Sequence, residues 1–168
     1  MSRIQKFSLI YDPLQDRIAW IAEDREGATT RLWFTQRICR SLVAALLPRL
    51  ETATTAPDLP PEHKATVQSW EQAAAVAQHV PVPPVVQTPQ TAGGLVHTIQ
   101  FRPTTEGFVL ILRFGQAEER RIGLTMAELR QTLNALYGLY VKADWPLDVW
   151  PSWISEPLAA AAAAGPAN

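Results

Sequence analysis

Apolar and polar residues alternate through residues 6–12, with Phe7, Leu9 and Tyr11 on one side and Lys6, Ser8, Ile10 and Asp12 on the other. That is the period of a half-buried strand. Asp12, Pro13 and Asp16 then supply a turn, a second strand runs from about residue 17 to 22, and the charged cluster 23–27 makes a hairpin tip before a third strand at 29–35. From Thr35, a capping residue, the period changes: Cys39, Leu42, Val43, Leu46, Leu47 and Leu50 recur at spacings of three and four, the stripe of an amphipathic helix. Pro48 inside that pattern predicts a kink or an end one turn early.

The same order returns ninety residues later. Arg31, Leu32, Phe34, Thr35, Arg40, Ala45 and Leu46 stand over Arg121, Ile122, Leu124, Thr125, Arg130, Ala135 and Leu136 without a gap. Strands are expected at about 96–102, 108–114 and 119–124, then a helix from the Thr125 cap to about Lys142, striped by Leu129, Leu133, Leu136, Tyr137 and Tyr140. Glu128, three residues after Thr125, completes a capping box that Ile38 cannot make in the first copy.

The pattern therefore predicts an α+β fold: a three-stranded antiparallel meander plus helix, duplicated (βββα twice) about a pseudo-twofold axis. The first repeat spans 1–56 and the second 95–144. Between them, 57–94 is a linker with an alanine-rich helix at about 61–79, expected to lie on the surface with Trp70 and Val76 its larger apolar residues, and a proline-rich spacer ending in a Gly93-Gly94 hinge. Residues 145–168 form a Trp/Pro-rich segment and a disordered alanine-rich tail. A unit of roughly 45 residues has a marginal core alone, so the two are expected to share one. The helix-facing layer holds Ile18, Trp20, Leu32 and Phe34 and their counterparts. The other sheet face holds Ile10, Ala19, Ile21 and Trp33 in the first repeat, too apolar to be fully solvated, and mixed residues including Arg113 and Arg121 in the second.

Composition narrows the function. A net charge of -1 argues against a dominant electrostatic grip on nucleic acid or an anionic membrane. One cysteine, Cys39, excludes an intramolecular disulfide and lies on the helix stripe as a small core side chain, so a reducing, cytoplasmic setting is expected. No stretch approaches the roughly 20 apolar residues of a membrane span. His63, His79 and His97 are not at metal-ligand spacing, and there is no phosphate-binding glycine loop and no nucleophile elbow. No catalytic residue, cofactor or metal is expected. Glu23, Asp24, Glu26, Glu118 and Glu119 sit in hairpin tips beside arginines and read as solvated turns.

The run D-R-I-A-W at 16–20, followed by R-L-W-F-T-Q-R at 31–37 and a leucine-rich helix, resembles a set of small bacterial proteins of unassigned function over roughly residues 7–50. That resemblance implies no activity. The doubled order of strands before a helix is also similar in outline to the Whirly type of single-stranded DNA binder, whose units use more strands.

These readings point to a non-catalytic accessory or adaptor protein that binds another protein through the apolar sheet face, with Ile10, Ile21, Trp33, Arg31 and Arg121 as contact residues. Trp145, Trp150 and Trp153 either clamp onto the parent domain or anchor in a partner's groove; clamping is preferred. The alternative is a single-stranded nucleic-acid binder, with Arg17, Arg31, Arg113, Arg120 and Arg121 on the backbone and Trp33 stacking on bases. The chain is expected to be a pseudo-dimer within itself and able to stay monomeric.

Overall fold

The computed structural model describes residues 4–88 and 91–156. The expected alanine-rich tail lies outside the described residues. Three strands, β1 (Ile4–Asp12), β2 (Arg17–Asp24) and β3 (Thr29–Thr35), lead into α1 (Gln36–Thr54), and α2 (Pro61–Ala77) follows. Then come β4 (Ala92–Pro103), β5 (Gly107–Phe114), β6 (Glu118–Thr125), α3 (Met126–Ala143) and the short α4 (Ser152–Ser155). The class is α+β, and the element order is compatible with a repeat.

All six strands form one sheet in the order β1-β2-β3-β4-β5-β6. Every pairing is antiparallel except β3 with β4, where Thr30, Arg31, Leu32 and Trp33 run parallel to Ala92, Gly93, Gly94 and Leu95. Gly93-Gly94 is therefore strand, not the expected hinge. A Cβ on Gly93 would sit 1.8 Å from the Arg31 carbonyl oxygen, so only glycine lets the two strands approach this closely.

One side of the sheet packs on the helices. Ile18, Trp20, Leu32 and Phe34 join Phe108, Leu110, Leu112, Ile122 and Leu124 in a single core with the stripes of α1 and α3. Leu46 and Leu136 are both buried in it. The caps form as spaced: Thr35 Oγ1 accepts from the Ile38 amide, and Thr125 and Glu128 close a full capping box. Pro48 neither ends nor shortens α1, which runs on to Thr54. The carbonyl that proline deprives of an amide belongs to Ala44, on the exposed side, where solvent can satisfy it.

The linker helix departs further from expectation. Trp70 is exposed, and the residues α2 buries are Gln68, Ser69, Gln72 and Ala75. No helix among the described residues is long and apolar enough to cross a membrane.

Candidate functional site

The candidate contact residues fall in three places. Ile10, Ile21, Arg31 and Trp33 share the sheet face turned away from α1 and α3: Ile10 pairs with Ala19 and Ala19 with Trp33 in one row, and Ser8 with Ile21 and Ile21 with Arg31 in the next. Arg121 lies on β6 opposite Ile111, in the other half of the sheet. Trp145, Trp150 and Trp153 lie in the core.

This face is not open in the first half. Val85, from the proline-rich segment after α2, is buried against Ala19 and Ile21 with Trp33 at its margin, and its amide donates to Ser8 Oγ at 2.9 Å. Ile21 is fully buried, so while Val85 is seated it presents no surface to a partner, against the expectation of an exposed contact. Arg31 is half-buried, with its guanidinium 5.6 Å from the Trp33 ring centroid. Arg121 Nε donates to Glu119 Oε1 at 2.8 Å, with Arg113 at 3.5 Å from the same carboxylate; the Arg121 bond holds the Glu119 carboxyl below its ordinary range.

The tryptophans clamp, which removes them as anchors for another molecule. After α3, Asp144 takes a left-handed conformation (φ 55°) and turns the chain back. Trp145 meets Tyr140 and Tyr11 edge-on and donates from Nε1 to Asp16 Oδ1 at 2.7 Å. Trp150 packs edge-on against Tyr137 and Tyr140, and Arg40 grips Asp148 with both guanidinium nitrogens. Trp153 Nε1 reaches Glu51 at 3.3 Å.

A buried polar knot around Arg130 has no counterpart among the sequence expectations. Arg40, ninety positions earlier, is exposed, but Arg130 is 1% exposed, beneath α2 and α4. It donates from Nη2 to Gln68 Oε1 at 2.6 Å and to Thr54 Oγ1 at 3.3 Å, and its Cζ lies 5.6 Å from the Trp153 ring centroid. Gln72 bonds the Arg130 carbonyl oxygen from the same helix. These acceptors are neutral, and burial pushes the guanidinium down to about 10. The only signal was the pair of glutamines four residues apart on α2, which reads as ordinary polar surface until α3 is laid against it.

The open concavity lies elsewhere, along β1. A groove of about 760 Å³ is lined by residues 6–10 of β1, by Glu128, Gln131 and Ala135 of α3, and by residues 78–82 and Pro84 after α2. Five consecutive residues of β1, from both faces of the strand, line it, so the groove follows the strand's edge. β2 is the only sheet neighbour of β1 among the described residues. Ile10, Val80 and Val82 are exposed there.

Chemically the groove carries backbone edge, apolar side chains and amides. The one thiol, Cys39, is in the core, where burial pushes it from about 9 up to about 12. No group of three or more His, Cys, Asp or Glu able to hold a metal ion occurs among the described residues. Compared with known protein families, with curated proteins and with solved structures, the chain matches none.

Proposed function

We propose that this chain is a non-catalytic adaptor that binds an extended segment of another protein along the free edge of β1. The single observation that carries the reading is the groove: an edge strand with one sheet neighbour lies beside a cleft walled by α3 and by residues 78–82. Such an edge offers backbone donors and acceptors to an added strand, while apolar pockets beside it choose alternate side chains. Phe7, Leu9, Ile10 and Val82 supply that apolar lining.

The scaffold is a duplicated βββα unit, in our reading, with the two copies joined head to tail where β3 meets β4. The parallel ladder supports this arrangement, because it sets the last strand of one copy beside the first strand of the next.

A photo-crosslinking residue at Val82, compared with one at Leu14 in the exposed β1–β2 turn, tests the adaptor reading in the native cell. Adducts of defined mass at position 82, absent at position 14 and abolished by Ala135→Arg in the groove wall, are expected. Equal adducts at both positions, or adducts indifferent to Ala135→Arg, would contradict it. Single-stranded nucleic acid is the weaker partner, since Arg31 and Trp33 already engage each other. Oligonucleotide retention that falls steeply with salt would reverse that preference.

A further inference from the structure

We propose that the patch of Ala19, Ile21 and Trp33 is a docking site for an extended proline- and valine-rich segment of a partner protein, and that residues 80–86 of this chain occupy it in cis as a releasable strap. The occupant's chemistry is read from what is seated there. The strap is V-P-V-P-P-V-V, its prolines hold it extended without amides to offer a ladder, and Val85 alone among these residues is buried. A pre-extended segment loses little freedom on docking against an aromatic surface, which is how proline-rich ligands are recognised.

The hold is light. One valine side chain and one hydrogen bond to Ser8 Oγ fix the strap on the patch, whereas Val80, Val82 and Val86 are 74%, 60% and 76% exposed. The patch is also longer than its occupant. The row through Ala19 and Trp33 continues to Ile10 on one side and Leu95 on the other, and these remain 43% and 42% exposed. A partner segment longer than the strap would cover both. In the second half of the sheet the same face carries Val109 between Arg102 and Gly123 and buried Ile111 between Gln100 and Arg121, so its apolar side chains are flanked by polar residues and glycine. This site adjoins the β1 groove, which shares Ser8, Ile10 and part of the strap with it, whereas Ala19, Ile21, Trp33 and Val85 lie outside the groove's lining.

The test uses a fluorescent synthetic peptide of residues 79–88 and the full chain, read by anisotropy. In the wild type the tethered strap competes at an effective concentration on the order of millimolar, so the free peptide binds poorly. Val85→Asp should expel the strap and raise affinity for the peptide at least tenfold; adding Trp33→Ala should abolish the gain, and adding Ala135→Arg should leave it unchanged. A folded Val85→Asp protein that ignores the peptide overturns the proposal, as does a gain that Ala135→Arg removes, because that places the peptide in the groove. Should Val85→Asp fail to fold, Ser8→Ala decides: a smaller gain supports the strap and no gain rejects it.

Discussion

Arg120 donates from Nε to Thr30 Oγ1 at 3.3 Å, although their strands, β6 and β3, are not neighbours in the sheet. The sheet must curl for this contact to form. The two residues also stand ninety positions apart, the offset at which the sequence pattern suggests a repeat. The Arg120 guanidinium caps this contact over the Phe114 ring, 5.6 Å from its centroid. A double-mutant cycle of Thr30→Val and Arg120→Met, followed by urea unfolding, should show coupling of about 0.5–1.5 kcal/mol, the net worth of a typical hydrogen bond. Strict additivity would mean the halves do not close on each other in solution.

Asp16 links the first turn to the last segment. Its backbone is left-handed (φ 48°), and its carboxylate accepts from both Tyr11 Oη and Trp145 Nε1. Asp16→Ala strands the buried indole N–H and should cost about 1–3 kcal/mol, while Asp16→Asn, which keeps an acceptor and tolerates the backbone, should cost less. Thermal unfolding checks the order; equal losses would show that the turn, not the bond, matters.

Cys39 sets an alkaline limit. The thiol titrates near 9 when exposed and near 12 in the fold because burial disfavours the thiolate. Between those values the unfolded chain has lost the proton that the folded chain keeps, so stability is full below pH 9 and falls as pH rises toward 12. Tyr140, pushed up by the same burial, adds to the fall from about pH 10. Cys39→Ala should lower stability at neutral pH through its cavity yet flatten the slope between pH 9 and 10. An unchanged slope would place the thiol in solvent.

Local periodicity was enough for the strands, both helix caps and the helix-facing layer, because each depends on residues within a few positions. It failed where distant segments meet. Gly93 reads as a hinge until β3 approaches it, Gln68 and Gln72 read as surface until Arg130 lies beneath them, and the apolar Ile21 advertises a contact without naming Val85 as its cover. The β1 groove was invisible for the same reason, since its walls come from three segments, the first and last more than a hundred residues apart. The clamp of Trp145, Trp150 and Trp153 was readable as one of two outcomes, because prolines between them exclude a regular amphipathic element but leave the direction of docking open.

We propose that two βββα halves build one core, and equilibrium urea unfolding of two core variants tests this most directly. Leu46 on α1 and Leu136 on α3 stand ninety positions apart on the two helix stripes, 2% and 3% exposed. Cutting either to alanine should cost roughly 2–5 kcal/mol. Unfolding should remain a single transition by fluorescence and circular dichroism alike, with both variants lowering the same midpoint. Two transitions, each moved by only one variant, together with a fragment of residues 1–56 that folds alone as a monomer, would contradict the shared core.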